Sequence, residues 1–540
     1  MAMNSAGSVP ALLERLSSLA PLIEEICSIG GTPSVSLGVI DPILGFYLAN
    51  YGYRDVEHGI KADSDTVYGL GSLTKAFTSA GIGSLVSDGK LRWDTKVCEL
   101  LSDIDSVVPV FNDQATIVDL LAHRTSIARP NEIWYGAGGE LLLSNDQSIP
   151  TFNSLLPISQ FRGAFRYSNW GYTLAGDVIE RLSGVGYSSY LESRILDPLD
   201  MKRTSADRER VRDDNVASPY AALDNASFHP LPVPKACDGS IMNGAQGMRG
   251  TVNDLLKWCA ALMEAQRGDL ASPAASADAS PLRGIATQMS SHIAISMPQY
   301  RETSYGLGWA RTQLPGTLGS IGCNGMFVKQ MPTIGPATQQ QQHLVLYHQG
   351  SLAGYTSALL LLPETRHAIV VLTNSIGLGD CADWISQLIL ETVLDNRRHD
   401  FPTLAREAAR GNIRFNEAIG KSLDHPPSTA RGPPRPWRAY AGRYHNSVGN
   451  FRLDVGVKDG RALEVRFQGR NSQAWRLRHY DADTFVWFTS RDDLARRAKF
   501  TYAGEEIYRI TFAGAEGGPA DFLSWKHDPD LEAPEVFVRS

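Results

Sequence analysis

No apolar run in this chain reaches the roughly 18 residues that a membrane-spanning helix needs, so no membrane partner is expected. No lysine- or arginine-rich stripe stands out either, and the net charge is -7, which argues against nucleic acid or an anionic bilayer as partner. Arg397-Arg398-His399 and Arg496-Arg497 are short clusters that read as solvated surface. The six cysteines (Cys27, Cys98, Cys237, Cys259, Cys323, Cys381) include no Cys-x-x-Cys pair, so free thiols in a reducing compartment are expected. The 12 histidines show no His-x-x-x-His spacing, and no metal or other cofactor is expected. The first residues lack a basic stretch followed by an apolar core, so the expectation is a cytoplasmic protein without a secretory signal. Solenoid-type repeats are missing too. What remains is a composition ordinary for a globular protein, in a chain of 540 residues that can bury two or three cores.

What is present is concentrated at Ser72-Leu73-Thr74-Lys75. The motif lies where a short glycine-punctuated strand, residues 67–71, gives way to an apolar helical run, residues 76–86. A serine there points its hydroxyl into the positive end of the helix dipole. The lysine one turn on projects from the same face and can reach that hydroxyl. A seryl alcohol becomes a nucleophile when a neighbour such as a desolvated amine takes its proton. Ser87-Asp88-Gly89-Lys90 fits the same four-letter pattern, but Gly89 between its ends makes it the turn that closes the Ser72 helix.

Three composition breaks organise the chain. Residues 268–280 read as a surface insertion, and residues 316–342 as a long glycine-rich loop expected to hang over the cleft. Residues 424–436 carry Pro426-Pro427 and Pro433-Pro434-Arg435-Pro436 and form a semi-rigid linker. Residues 10–27 have helical spacing. Strands are expected over 34–40 and 45–53, then again over 305–312, 344–348, 355–362 and 367–372, with helices at 116–123, 170–182, 187–196 and 252–263 between them and a last one at 380–396. Strands at both ends around a helical middle predict an α+β fold with one antiparallel sheet built from both termini. After the linker, period-2 segments around Tyr444, Phe451, Leu463 and Tyr508 predict a small all-β barrel or sandwich. The boundaries are 1–423 for an acyl-transfer domain, 424–436 for the linker and 437–540 for the barrel.

Two further motifs follow in order. Tyr167-Ser168-Asn169 precedes an amphipathic helix, and His348-Gln349-Gly350 ends an apolar strand. Tyr444-His445-Asn446 and Lys458-Asp459-Gly460 repeat these patterns inside the barrel, where the second reads as a hairpin turn. With Ser-x-x-Lys, Tyr-x-Asn and His-x-Gly in this order, residues 10–400 resemble the serine β-lactamase-like superfamily: class C β-lactamases, D-alanyl-D-alanine peptidases and related esterases. Residues 246–255 and Tyr305-Gly306-Leu307-Gly308-Trp309 are also similar to that family's surroundings. The resemblance implies a β-lactamase/transpeptidase-like antiparallel sheet flanked by helices. It also implies that Ser72 forms an acyl-enzyme beside Lys75, and that Tyr167, acidified by neighbouring cations, takes and returns the proton. Asn169 would orient Lys75 or the substrate carbonyl, His348 and Gly350 would edge the cleft, and the oxyanion would lie between the N–H groups of Ser72 and Ser351. The barrel resembles the lipocalin-like domain of some D-peptidases and peptide-cyclising relatives, which can wall the cleft.

Trp134 and Tyr135 are candidates to stack on a substrate, with core packing as the competing reading. His123 is expected to support a turn near the cleft. The chain departs from the family where His348-Gln349-Gly350 replaces the usual Lys-Thr-Gly, which disfavours substrates that need a carboxylate anchor. Ser126 stands where relatives carry glycine, which predicts a strained or altered loop. Three function classes follow: a hydrolase acting on an ester or amide of a small-molecule or carrier-bound acyl substrate, an acyltransferase or cyclising thioesterase of specialised metabolism using the same acyl-enzyme, or a non-catalytic scaffold.

Overall fold

The apolar strands Tyr355–Leu362 and His367–Thr373 show why the central layer forms. Alternate residues point to opposite faces of a strand, yet almost all of these are buried, so both faces must be covered. Leu359, Leu361, Val370 and Leu372 join one core with Val252 and Leu256 of the helix Val252–Ala271. Leu360, Leu362, Ile369 and Val371 join a second core with Trp384 and Ile385 of the helix Cys381–Val393. Each such side chain contributes roughly 1.5–3 kcal/mol of burial, so this two-sided sheet anchors the domain.

The computed structural model describes residues 8–271, 280–296, 300–335, 342–460 and 462–540. The sheet has nine antiparallel strands. Ser34–Asp41 pairs with Gly45–Asp55 on one side and with His367–Thr373 on the other, so strands from both ends of the domain meet at its centre. The order continues through Tyr355–Leu362, Leu344–Leu352, Ala310–Gln313 and Thr303–Tyr305. The helical region lies between these two groups of strands in sequence. This is the mixed α+β fold that the strand and helix pattern predicts.

Two local expectations change. The N-terminal helical stretch is two helices, Ser8–Ser17 and Ala20–Gly30, because Pro21 belongs in the first turn of a new helix. The strand expected over 305–312 is a hairpin, Thr303–Tyr305 and Ala310–Gln313, turning at Gly308 with φ +86°. Of the expected surface insertion at 268–280, residues 268–271 end the helix Val252–Ala271, and 272–279 lie outside the described residues.

The C-terminal region is a closed eight-stranded antiparallel barrel from Gly442–His445 to Glu535–Arg539, with these two strands pairing to close it. Lys458 and Ala462 flank the hairpin turn between its second and third strands, where Asp459 and Gly460 both have positive φ. Its interior is occupied by rings: Trp487 lies 5.0 Å from Trp475 and 5.6 Å from Phe467, which lies 5.1 Å from Trp525. In the proline-rich segment before the barrel, Arg435 is buried and donates to the carbonyls of Gly514 and Gly518, each at 2.8 Å.

Candidate active site

Ser72 sits in a single 3-10 turn, Gly71–Leu73, that runs directly into the helix Thr74–Ser87. Gly71 has φ +53°, and a Cβ there would lie 2.7 Å from the Ser351 backbone nitrogen. A Cβ at Gly350 would overlap the Leu70 carbonyl. Glycine at both positions therefore lets the strand Leu344–Leu352 close on the serine turn, and brings Ser351 beside Ser72.

Lys75 is fully buried. Its Nζ lies 3.0 Å from Ser72 Oγ, 2.9 Å from Asn169 Oδ1 and 3.0 Å from the Ala245 carbonyl. Asn169 in turn donates from Nδ2 to Asn131 Oδ1 at 3.3 Å, which turns its oxygen toward the lysine. Burial pushes the Lys75 ammonium well below the ordinary lysine range. A neutral amine has two N–H donors and one lone pair. Asn169 Oδ1 and the Ala245 carbonyl can only accept, so once the amine is neutral they take both donors and leave the lone pair for the Ser72 hydroxyl.

The Tyr167 ring lies 4.8 Å from Lys75 Nζ, and its phenol reaches Ser72. Burial raises the phenol above the ordinary tyrosine range, and the contact with Ser72 only partly offsets this. The expected acidified phenol is therefore corrected: the groups that would supply positive charge, Lys75 and His348, are both driven toward their neutral forms by burial.

His348 is buried, not displayed at the cleft edge. Its Nδ1 donates to the Gln349 carbonyl at 2.6 Å, so its Nε2 accepts from the Tyr305 hydroxyl at 2.9 Å. Burial, with Lys75 second, lowers its pKa to about 3. The residue that reaches the cleft from this motif is Gln349, with Gly350 and Ser351. His123 is also buried and held neutral, first by burial and then by Lys75; its Nδ1 accepts the Ser168 N–H at 3.1 Å, and its ring lies 4.3 Å from that of Tyr167. Ser126 keeps the left-handed backbone, φ +58°, and its hydroxyl donates to the Gln160 carbonyl at 2.7 Å.

These groups open on a cavity of about 530 Å³. Ser72, Tyr167 and Asn169 form one wall, and residues 320–323 with Met326, from the long glycine-rich segment, form another. The third wall comes from the barrel, including Phe500, Tyr502 and Asp528. Residues 336–341 of the glycine-rich segment lie outside the described residues. Trp134 and Tyr135 line the cavity but are packed between domains: Tyr135 donates to the Ala498 carbonyl at 2.8 Å and stacks on Phe500. A larger surface depression of about 650 Å³, beside Arg397 and Arg398, contains none of these groups. Among the described residues no His, Cys, Asp and Glu cluster could hold a metal ion, and no helix is long and apolar enough to cross a membrane. Ala245, Asn131, Arg129 and the barrel residues escape a sequence reading. Ala245 acts through its backbone, and the others become neighbours of Ser72 only through folding.

A serine turn closed by a strand of the antiparallel sheet, with a buried lysine behind it, is the architecture of the serine β-lactamase-like fold. Residues 19–391 match the Beta-lactamase family model, and the chain belongs to that family. Residues 426–538 match a domain of unknown function, DUF3471. The chain is similar to the unguisins hydrolase ungD of Aspergillus violaceofuscus, 24% identical over 489 residues, 84% of this chain and 79% of that protein. In fold it is similar to the octameric penicillin-binding protein homologue of Pyrococcus abyssi, at 21% identity and TM-score 0.55, covering 97% of this chain and 99% of that one. A class C beta lactamase of Rhodobacter sphaeroides gives TM-score 0.51 at 19% identity, covering 74% and 99%.

Proposed function

We propose that the chain is a serine hydrolase that cleaves an ester or amide of a small or medium organic or peptidic substrate through an acyl-enzyme on Ser72. The observation that carries this reading is the fully buried Lys75 Nζ, 3.0 Å from the Ser72 hydroxyl. Lys75 accepts the hydroxyl proton as Ser72 Oγ attacks the carbonyl carbon. The N–H groups of Ser72 and Ser351 receive the oxyanion. Tyr167, a neutral phenol, gives a proton to the leaving group and regains one from the Lys75 ammonium. Water then resolves the ester. A relative matched over 79% of its length that is called a hydrolase agrees with this assignment.

Substrates that need a carboxylate anchor fit poorly. His348 is neutral and buried, and Arg129, a lining cation, is already committed to Asp530 and the Tyr167 carbonyl. A second reading, transfer of the acyl group to a bound alcohol or amine, is favoured by the barrel wall, which shields one side of the cleft from bulk water. The test is a side-by-side assay of p-nitrophenyl acyl esters, D-amino-acid amides and a chromogenic cephalosporin, with and without an acceptor. Faster ester than cephalosporin turnover is expected. The reverse order would overturn the substrate class, and a new acylated acceptor would move the assignment to transfer.

A further inference from the structure

We infer that Arg129 is a positioning residue for Tyr167, and that Asp528 and Asp530 of the C-terminal barrel hold it in place, so that the barrel is part of the catalytic machinery. This rests on the Ser72 acyl-enzyme reading. Arg129 Nη1 donates to the Tyr167 carbonyl at 3.0 Å. Its Nε and Nη2 both engage Asp530 Oδ2, at 2.8 and 2.7 Å, and its backbone N–H donates to Asp528 Oδ2 at 2.6 Å. Asp528 is buried, and its Oδ1 accepts the Asp530 N–H at 3.0 Å, so one short loop of the barrel fixes both carboxylates. That loop joins the strands Phe522–Trp525 and Glu535–Arg539, and it reaches the cavity at His527, Asp528 and Pro529.

The Tyr167 carbonyl and the Ser168 N–H belong to one peptide unit, which is planar and rigid. His123 holds its N–H end at 3.1 Å and Arg129 holds its C=O end. The backbone that aims the phenol is therefore pinned at two points. Both lie within the catalytic domain, but the second is made by an arginine whose backbone N–H, Nε and Nη2 are held by the barrel. The same segment continues to Asn131, which orients the Asn169 side chain that holds Lys75, so the docked barrel reaches both proton-handling groups. An arginine on a long flexible stem holds a backbone oxygen well only when its other donors are occupied, and Asp530 occupies them. The Arg129 and Asp530 side chains remain 33% and 31% exposed, so their pairing adds little to stability, and its effect should appear in rate.

The experiment uses the full chain and compares wild type, Arg129→Gln, Asp530→Asn and the double variant on p-nitrophenyl esters and on alkyl esters of the same acyl group. Alkyl alcohols are poor leaving groups that need the Tyr167 proton, whereas p-nitrophenolate departs without it. Arg129→Gln is expected to lower kcat on alkyl esters by roughly 10- to 100-fold, with a distinctly smaller loss on p-nitrophenyl esters and KM changed by less than about 3-fold. Asp530→Asn should show the same pattern at about 3- to 10-fold, and the double variant should be no worse than Arg129→Gln. Equal losses on both ester classes, additive losses in the double variant, or unchanged rates in either folded variant would overturn the inference. If Arg129→Gln does not fold, Asp530→Asn decides by the same split. Mapping of fluorophosphonate-labelled wild type reports separately on the acyl-enzyme: label away from Ser72 refutes that reading, while label on Ser72 with variants insensitive to the leaving group refutes only this one.

Discussion

In the proposed reaction Lys75 is the proton acceptor, and burial, not a counter-charge, pushes its ammonium well below the ordinary lysine range. Its amine must be neutral to accept the Ser72 proton, so kcat/KM should rise with pH through an ionisation well below the ordinary lysine range. Tyr167 is raised, so no alkaline fall is expected before about pH 10. A pH–rate profile that declines on the alkaline side of neutrality would contradict this assignment. Ser72→Ala should lose turnover and fluorophosphonate labelling while its melting temperature stays within a few degrees of wild type, since an N-terminal helix serine contributes at most about 2 kcal/mol. Outside the site, burial pushes the Asp177 carboxyl up to about 7, while Ser148 donates to it at 2.8 Å. The folded form keeps a proton that the unfolded chain releases near pH ~4, so this stabilisation is complete below that pH and is lost as pH rises through about 7. Denaturant melts of Asp177→Asn should therefore show a gain on the order of 3 kcal/mol at pH 8 and little change at pH 4.

At the scale of elements, the site depends on how closely a strand can approach a turn. Gly71→Ala would force a side chain into the Ser351 backbone at a positive φ, and should cost about 2 kcal/mol or more together with at least roughly 100-fold in ester turnover. Gly89→Ala is the matched control: φ is +68° but nothing lies within 4 Å, so it should cost about 1 kcal/mol and leave turnover intact. Equal effects of the two on turnover would show that the approach of strand and turn is not what the activity needs. The turn behind Tyr167 meets a similar demand without glycine. His123 and Ser126 both adopt positive φ, and the bonds they make to Ser168 and Gln160 offset the strain.

For the whole molecule, the barrel and the catalytic domain share a polar interface. Lys499 pairs with Glu132 at 2.5 Å and donates to the Tyr135 carbonyl at 2.9 Å, with side-chain exposures of 5% and 14% for the ion pair. Gln473 accepts the Ala137 N–H at 2.7 Å, and Gly138 donates to the Arg497 carbonyl at 2.7 Å. Removing one partner of such a buried pair costs about 3–5 kcal/mol because the other charge is left without compensation. Calorimetry should accordingly show one cooperative transition for wild type and two for Lys499→Met. A single unshifted transition in the variant would mean that the two domains do not stabilise each other through this contact.

Local signals were sufficient to read the Ser72 helix start, the alternating strands and the barrel from the sequence, because turn chemistry and apolar periodicity act over a few residues. The match of Lys75 and Asn169 to Ser72 was legible for the same reason: each lies in a short motif with its own secondary-structure setting. Burial and register were not. Whether Lys75 is charged depends on the Asn169 and Ala245 oxygens and on the protein packed around it. Which residue of His348-Gln349-Gly350 meets the cleft depends on Gly350 packing against Leu70, since neighbours on a strand face opposite ways. The cleft wall built by Tyr502 and Asp528 depends on contacts between segments more than 300 residues apart, as in the Arg129–Asp528 bond. Such contacts form only when two separately patterned domains dock, so they belong to the tertiary structure.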